Sequence, residues 1–225
     1  MNISVIIPTL NEESCVAETL QSLRRQNPQE IIVVDGGSTD ATRKIAVSYA
    51  DRVLEGPRGR AFQMNLGAAA ATGDILLFLH ADCSLEARAL TEASRCLKRP
   101  SVAAGCFTMA VQASGLLYRS IDFCASARVR LTGFVYGDQG LFLKRELFTA
   151  LGGFPGIPLM EDIYFSKELR HQGRIVVVKP RIFVSPRRWQ REGIIRQTVR
   201  NWTLLTSAAL GVSTRRLGFY YPQVR

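Results

Sequence analysis

The sequence is short of the residues that build cross-linked or metal-clasped scaffolds. Its 225 residues hold two histidines and five cysteines. The cysteines (Cys15, Cys83, Cys96, Cys106 and Cys124) are odd in number and none is spaced C-x-x-C. A disulfide framework and a zinc ribbon are both excluded on that count, and reduced thiols of a cytoplasmic protein are expected. Long apolar runs are missing too. The longest candidate, Trp202 to Val212, is interrupted by Thr and Ser and falls far short of the roughly 20 residues that span a bilayer. The first residues have no basic start and turn acidic at Glu12, so no signal peptide is expected.

Acid is what the last quarter lacks. Residues 170–225 contain twelve Lys and Arg against one acid, Glu192, whereas the first 169 residues contain seventeen basic and eighteen acidic side chains. The entire net charge of +10 therefore lies in that quarter. Such a field attracts the phosphates of nucleotides, nucleic acid or anionic lipid. No recognisable module interleaves aromatics with these arginines, so nucleic acid is not expected as a partner.

What is present is a regular alternation of apolar runs and helical spacing. Ile3 to Ile7 is a β-branched run ended by Pro8, Ile31 to Val34 a second, Val53-Leu54 a short third, and Ile75 to Leu79 a fourth. Between them Val16, Leu20 and Leu23 recur at helical spacing, Ser38-Thr39-Asp40 offers a cap for a helix over 41–50, and the Ala-rich stretch 62–71 reads as another helix. Alternating strands and helices with short connections predict an α/β fold with a mostly parallel central sheet flanked by helices. Further on, the pattern predicts helices over 85–99, 116–130, 145–151 and 161–172, and strands over 102–111, 141–143 and 175–178. The segment 192–210 alternates Ile194, Ile195, Val199, Trp202 and Leu205 with Arg196 and Arg200. One domain over 1–190 with a basic amphipathic helical tail over 191–225 is the economical organisation.

In parallel α/β sheets, ligands bind beyond the carboxyl ends of the strands. Here those ends carry Pro8-Thr9-Leu10-Asn11-Glu12, Asp35-Gly36-Gly37-Ser38-Thr39-Asp40 and His80-Ala81-Asp82. Each alone is most often just a turn. Together and in this order, ISVIIPTLNEE, IIVVDGGSTDAT and GDILLFLHAD resemble the inverting family 2 glycosyltransferases, with their nucleotide-diphospho-sugar-binding GT-A fold. Gly137-Asp138-Gln139-Gly140, Gly152-Gly153-Phe154 and Met160-Glu161-Asp162 continue the resemblance over roughly residues 1–190. The stretch GRAFQMNLGAAAATGDILLFLHAD is shared with a subgroup of small, untethered members, some of them labelled arsenosugar-biosynthesis glycosyltransferases.

The resemblance implies a nucleotide-sugar donor, a UDP-sugar being the commonest in the family, and a hydroxyl acceptor whose identity it does not fix. It implies that Pro8, Thr9 and Glu12 border the nucleoside and that Asp35 accepts a hydrogen bond from the base. The plain alternative for Asp35 is closure of the turn before Gly36. Asp82 matches the last acid of the family's D-x-D motif, which holds Mn²⁺ or Mg²⁺ against the diphosphate. His80 stands where the first acid is expected. As a ligand it would favour Mn²⁺; otherwise it bonds ribose or phosphate, or simply ends the strand. Asp162 resembles the acid of the family's Glu-Asp motif and is the candidate general base, an acid stabilising a helix start being the alternative. Glu161, Asp138, Gln139 and Trp189 are placed on the acceptor side. Arg60 and Arg188 are candidates for the diphosphate. Arg188-Trp189 matches the end of a Q-x-x-R-W motif, but Ser185 stands at its glutamine.

Two further functional classes stay open from sequence. With His80 in place of the first acid, the chain could bind a nucleotide sugar without transferring it. A nucleotidyltransferase would want a glycine- and arginine-rich loop after the first strand, which is absent. For the tail, packing on the body or on a second subunit competes with a position on an anionic membrane surface, Trp202 and Leu205 inserted and Arg196 and Arg200 at headgroup level.

Overall fold

A computed structural model describes residues 1–209, 212–214 and 216–217. The expected membrane-facing side chain of Leu205 lies outside what is described, as do Arg215 and Arg225.

The N-terminal half is a run of β-strand and α-helix pairs. Strands β1 (Ile3–Thr9), β2 (Glu30–Asp35), β3 (Arg52–Glu55) and β4 (Ile75–Phe78) alternate with helices α1 (Val16–Arg24), α2 (Thr42–Tyr49) and α3 (Arg60–Ala70). The four strands pair in parallel, in the order β3-β2-β1-β4. Their near-continuous Ile, Val and Leu runs are buried, as a sheet covered on both faces requires. Strand β1 runs through Pro8 instead of ending before it. Gly36 N–H bonds the Thr9 carbonyl on the β2 side, so by alternation Pro8 faces β4, where pairing stops at Ile6–Phe78. Its missing N–H is therefore not needed. The α2 cap comes from Asp40, whose carboxylate accepts the Thr42 N–H at 3.0 Å.

The C-terminal half is mixed. Strands β5 (Cys83–Leu85), β6 (Val102–Val111), β7 (Leu141–Lys144) and β8 (Arg174–Val184) complete one eight-stranded sheet, order β3-β2-β1-β4-β7-β6-β8-β5. Strand β7 runs antiparallel to both neighbours and β5 antiparallel to β8; the rest share one direction. The helices here are α4 (Ala89–Cys96), α5 (Leu116–Thr132), α6 (Arg145–Ala150), α7 (Glu161–Gln172), α8 (Arg187–Glu192) and α9 (Ile194–Ala209).

Two expectations fail in this half. The predicted fifteen-residue helix from Leu85 shrinks to the eight residues of α4, because Cys83–Leu85 is taken as an edge strand by Ile182–Val184 of β8. Strand β8 runs well past Val178, shifting register between Phe107 and Thr108 of its neighbour, so both ends of β6 stay paired. Helix α8 runs across residue 190, and its Trp189 is buried against the main core. Gly193 (φ 83°) separates α8 from α9.

Two cores sandwich the sheet. One holds Val5, Ile7, Leu20, Leu23, Ile31 and Val33 under α1 and α2. The other holds Ile6, Ile32, Val34, Met64 and Leu76 under α3, continuing into the Phe78–Phe148–Phe154–Phe165 cluster. Among the described residues no helix is long and apolar enough to cross a membrane.

Candidate active site

The strand ends are tied to one another by side chains of α3. Gln63 Nε2 donates to the carbonyls of Thr9 and Val34, both at 2.8 Å, stitching the ends of β1 and β2. A Cβ on Gly36 would sit 3.1 Å from the Gln63 amide, which accounts for the glycine there. Two residues on, Asn65 closes a reciprocal pair with the Phe154 backbone: Nδ2 donates to the carbonyl at 2.8 Å, and Oδ1 accepts the N–H at 2.9 Å. The GRAFQMN and GGF segments are thus two halves of one clamp.

Asp35 is buried, and its two oxygens accept Thr9 Oγ1 (3.2 Å), Ser38 Oγ, Gly37 N–H (3.1 Å) and Ser38 N–H (2.8 Å). Four donors fill the acceptor capacity of a carboxylate. A base reaches Asp35 only by displacing one of them.

Two adjoining cavities open beyond the strand ends. The smaller is bordered by Pro8, Thr9, Leu10, Glu12, Gln63 and Ala81, and the larger by Tyr136, Gly137, Asp138, Asp162, Trp189 and the inward face of α9. Arg60, His80, Asp82 and Arg188 line both. Of the residues marked from sequence, Pro8, Thr9, Glu12, Arg60, His80, Asp82, Asp138, Asp162, Arg188 and Trp189 are brought together here.

Gln139 and Glu161 are not brought to these walls. Gln139 is fully buried, accepting Arg128 Nη2 at 2.7 Å and donating to the Ala125 carbonyl at 3.4 Å. Arg128 in turn lies 3.2 Å above the Tyr136 ring. Glu161 is buried and forks Arg60, with Nε–Oε1 at 2.9 Å and Nη2–Oε2 at 3.3 Å. Burial pushes its carboxyl above the usual range against the pull of Arg60, and neighbouring Asp162 adds to the rise. Glu161 therefore aims Arg60.

Asp162 is the second residue of α7, whose capping residue, Met160, has a left-handed backbone (φ 68°). For a bulky, buried residue that is a strained conformation, of the kind found where a site fixes its geometry. Asp162 Oδ2 accepts the Gly137 N–H at 2.6 Å. A Cβ on Gly137 would lie 2.6 Å from His80 Nε2 and 3.5 Å from Asp162 Oδ2. The glycine thus lets the imidazole and the carboxylate flank one backbone unit. Gly140, three residues on, takes the left-handed turn (φ 65°) that returns the chain to β7.

Arg187 was not singled out from sequence. Arg187 Nη2 bonds Glu12 Oε2 and reaches Asp82 Oδ2 at 3.2 Å, bridging the loops after β1 and β4. Burial opposes its charge, but Asp82 and Glu12 outweigh that and hold the guanidinium firmly protonated. Burial, with Glu12 adding, pushes the neighbouring Cys15 thiol up to about 12. Adjacent arginines have no distinguishing signal in sequence.

The burial of the Asp138 carboxyl was not foreseen from sequence. Its Oδ1 is buried with no hydrogen-bond partner among the described residues. Burial raises its pKa; Arg128 and Arg188 oppose the rise, and Asp162 and Asp82 add to it. An unsatisfied buried carboxylate oxygen beside two other acids is a place for a cation or a hydroxyl. Among the described residues no group of three or more His, Cys, Asp or Glu forms a ready metal cluster. Asp82 and His80 offer two side-chain ligands, so an ion between them would need substrate phosphate and water to complete its shell.

A mostly parallel sheet with its acids and arginines gathered at one rim is the architecture of the GT-A glycosyltransferases. The mannosyltransferase of Pyrobaculum calidifontis, solved with GDP-Man and Mn²⁺, matches with a TM-score of 0.66 at 25% identity, over 81% of this chain and 56% of that one. Staphylococcus aureus TarS 1–349 with UDP-GlcNAc matches at 0.65 and 22% identity, over 82% and 58%. The family model for glycosyl transferase family 2 matches residues 4–154, about two thirds of the chain. The chain belongs to glycosyl transferase family 2. A PGL/p-HBAD biosynthesis glycosyltransferase of Mycobacterium tuberculosis is 43% identical over 91 residues, 36% of each chain. The 4,4'-diaponeurosporenoate glycosyltransferase of Staphylococcus haemolyticus is 37% identical over 93 residues, 37% of this chain and 25% of its own. The match spans only about a quarter to a third of these curated relatives.

Proposed function

We propose that this protein is an inverting glycosyltransferase that moves a sugar from a nucleotide-diphospho-sugar, a UDP-sugar by preference, to an acceptor hydroxyl, with Mn²⁺ or Mg²⁺ as cofactor. The observation that carries this reading is the convergence of Asp82, His80, Arg60 and Arg188 on the shared wall of two cavities, with Asp162 in the larger one. The nucleoside enters the smaller cavity, bordered by Pro8, Thr9 and Glu12, and the diphosphate meets Arg60 and Arg188. A cation at Asp82 and His80 supplies neutralisation of the leaving diphosphate. In the larger cavity Asp162 takes the proton of the acceptor hydroxyl as that oxygen bonds the anomeric carbon and the bond to the diphosphate breaks. The Gly137 N–H on Oδ2 and the Ile163 N–H on Oδ1 orient the carboxylate, and each oxygen keeps a lone pair with which to take the proton. Asp138 and Trp189 border the acceptor.

The test is a thermal-shift panel of UDP, GDP and dTDP with and without Mn²⁺, followed by hydrolysis of the matching nucleotide sugar. A ligand that binds the folded state raises the melting temperature by mass action. The expected result is a metal-dependent shift with UDP and slow hydrolysis of a UDP-sugar. No shift with any nucleotide would sink the reading. A shift without hydrolysis or transfer would mark a nucleotide-sugar-binding protein instead.

A further inference from the structure

Helix α9 has two faces of opposite kind. Gln197 and Leu204 are buried against the body, Leu204 packing on Leu159 and Met160. Ile195, Val199 and Trp202, spaced for one helical stripe, face outward, Trp202 with 68% of its surface exposed. Helix α5 repeats the arrangement. Ala125 and Val129 are buried, while Leu116, Leu117, Phe123 and Leu131 are exposed, Leu116 to 86%. The two helices meet through α8: Tyr118 of α5 stands edge-on to Trp189 at 6.5 Å, and Ile194, the first residue of α9, packs on the same core cluster.

A soluble surface rarely leaves this much large apolar side chain uncovered, so something covers it. Charge says what. The exposed arginines of α5, α8 and α9 are Arg119, Arg130, Arg191 and Arg196, and the acids of these helices are Asp122 and Glu192. Both acids are already paired, Asp122 with Arg119 at 2.8 Å and Glu192 with Arg200. A second copy docked symmetrically on this face would oppose arginine to arginine. An anionic surface with an apolar interior complements both properties.

We propose that the outward faces of α5 and α9 dock the protein peripherally on an anionic phospholipid surface, with Trp202 and Phe123 at the depth of the acyl-chain boundary and Arg196 and Arg130 among the headgroups. The larger cavity is lined by Gln197, Asn201 and Leu204 of the same α9, so docking sets its rim beside the lipid. The docking itself does not depend on the transferase reading.

The test is co-sedimentation of the full chain with vesicles of phosphatidylcholine containing phosphatidylglycerol, against phosphatidylcholine alone, at low and high salt. Roughly tenfold stronger binding to the anionic vesicles is expected, weakening as salt screens the arginines, with a blue shift of tryptophan emission. Val199→Glu with Trp202→Glu, both solvent-facing, should abolish binding without changing the melting temperature. Arg196→Glu with Arg130→Glu should remove the preference for anionic lipid. Failure to bind either vesicle, or binding unchanged in the first double variant, overturns the proposal. So does a concentration-dependent dimer in light scattering that Trp202→Glu dissolves, which would assign the face to a second copy.

Discussion

Glu30 at one end of the sheet and Asp138 at the other hold buried carboxyl oxygens that are treated in opposite ways. At the amino end Glu30 accepts Ser4 Oγ (2.6 Å), Thr72 N–H (2.6 Å) and Thr72 Oγ1 (2.8 Å). Burial alone would raise its pKa, but these three bonds outweigh it and the pKa is lowered. At the carboxyl end Asp138 and Glu161 are raised, and one oxygen of Asp138 is unsatisfied. The same residue types serve stability where their hydrogen bonds are complete. Where the bonds are withheld, the unsatisfied atoms are left for a ligand, which is the physical signature of a functional rim.

The contrast is broken most sharply at Asp162. Asp162→Asn keeps size and the Gly137 contact but takes no proton, so transfer should fall about 10²–10⁴-fold. Donor affinity should stay within a few-fold, because the base acts in the transition state. Near-normal transfer with a modest loss of melting temperature would make Asp162 a helix-start acid only. Gly137→Ala comes next. The added methyl would lie 2.6 Å from His80 Nε2 and displaces that imidazole, and a shift of that order costs about 10²-fold in rate, with little change in denaturant midpoint. Equal kinetics in the variant would show that the close approach is incidental.

At the other end, Glu30→Gln should cost about 1.5–3 kcal/mol in urea unfolding while leaving activity per folded molecule unchanged. Because the folded pKa of Glu30 is lowered, its contribution is present above the unfolded carboxylate pKa and lost as pH falls through the folded one. The smallest effect, with opposite sign, belongs to Asp138→Asn. The raised folded pKa means the ionised group costs stability once pH exceeds it, so the variant should melt higher at about pH 8, the gap closing by about pH 4. A lower melting temperature at high pH would show that the Arg128 and Arg188 attraction outweighs burial.

How much of this was legible in the sequence depends on whether the deciding contact is local. The runs Ile3–Ile7, Ile31–Val34 and Ile75–Leu79 announce buried strands by themselves, and helix α7 starts and stops where its own acids and Gly173 place it. The edge strand Cys83–Leu85 is decided by Ile182–Val184, about a hundred residues away, and no local pattern carries that. Asp35 and Asp82 were visible because strand ends collect ligand groups, and Asp138 and Asp162 through resemblance to family motifs. Which of them would be satisfied was not, since Asp35 and Asp138 differ only in the donors the fold brings to them. The bridge of Arg187 to Glu12 and Asp82 joins residues far apart in the chain, and no local pattern carries it.

The Arg187 bridge also bears on the order in which the molecule can be assembled. Its partners are 175 residues apart in the case of Glu12, and both acids sit on the parallel half that is synthesised first. While the chain grows, that half can pair its strands and bury Ile6, Val33 and Leu76 from local crossovers. Glu12 and Asp82 gain the guanidinium that bridges them only when α8 emerges. Until then the cleft carries less positive charge than in the finished protein, so its charge balance is completed after the strands beneath it are available to pair.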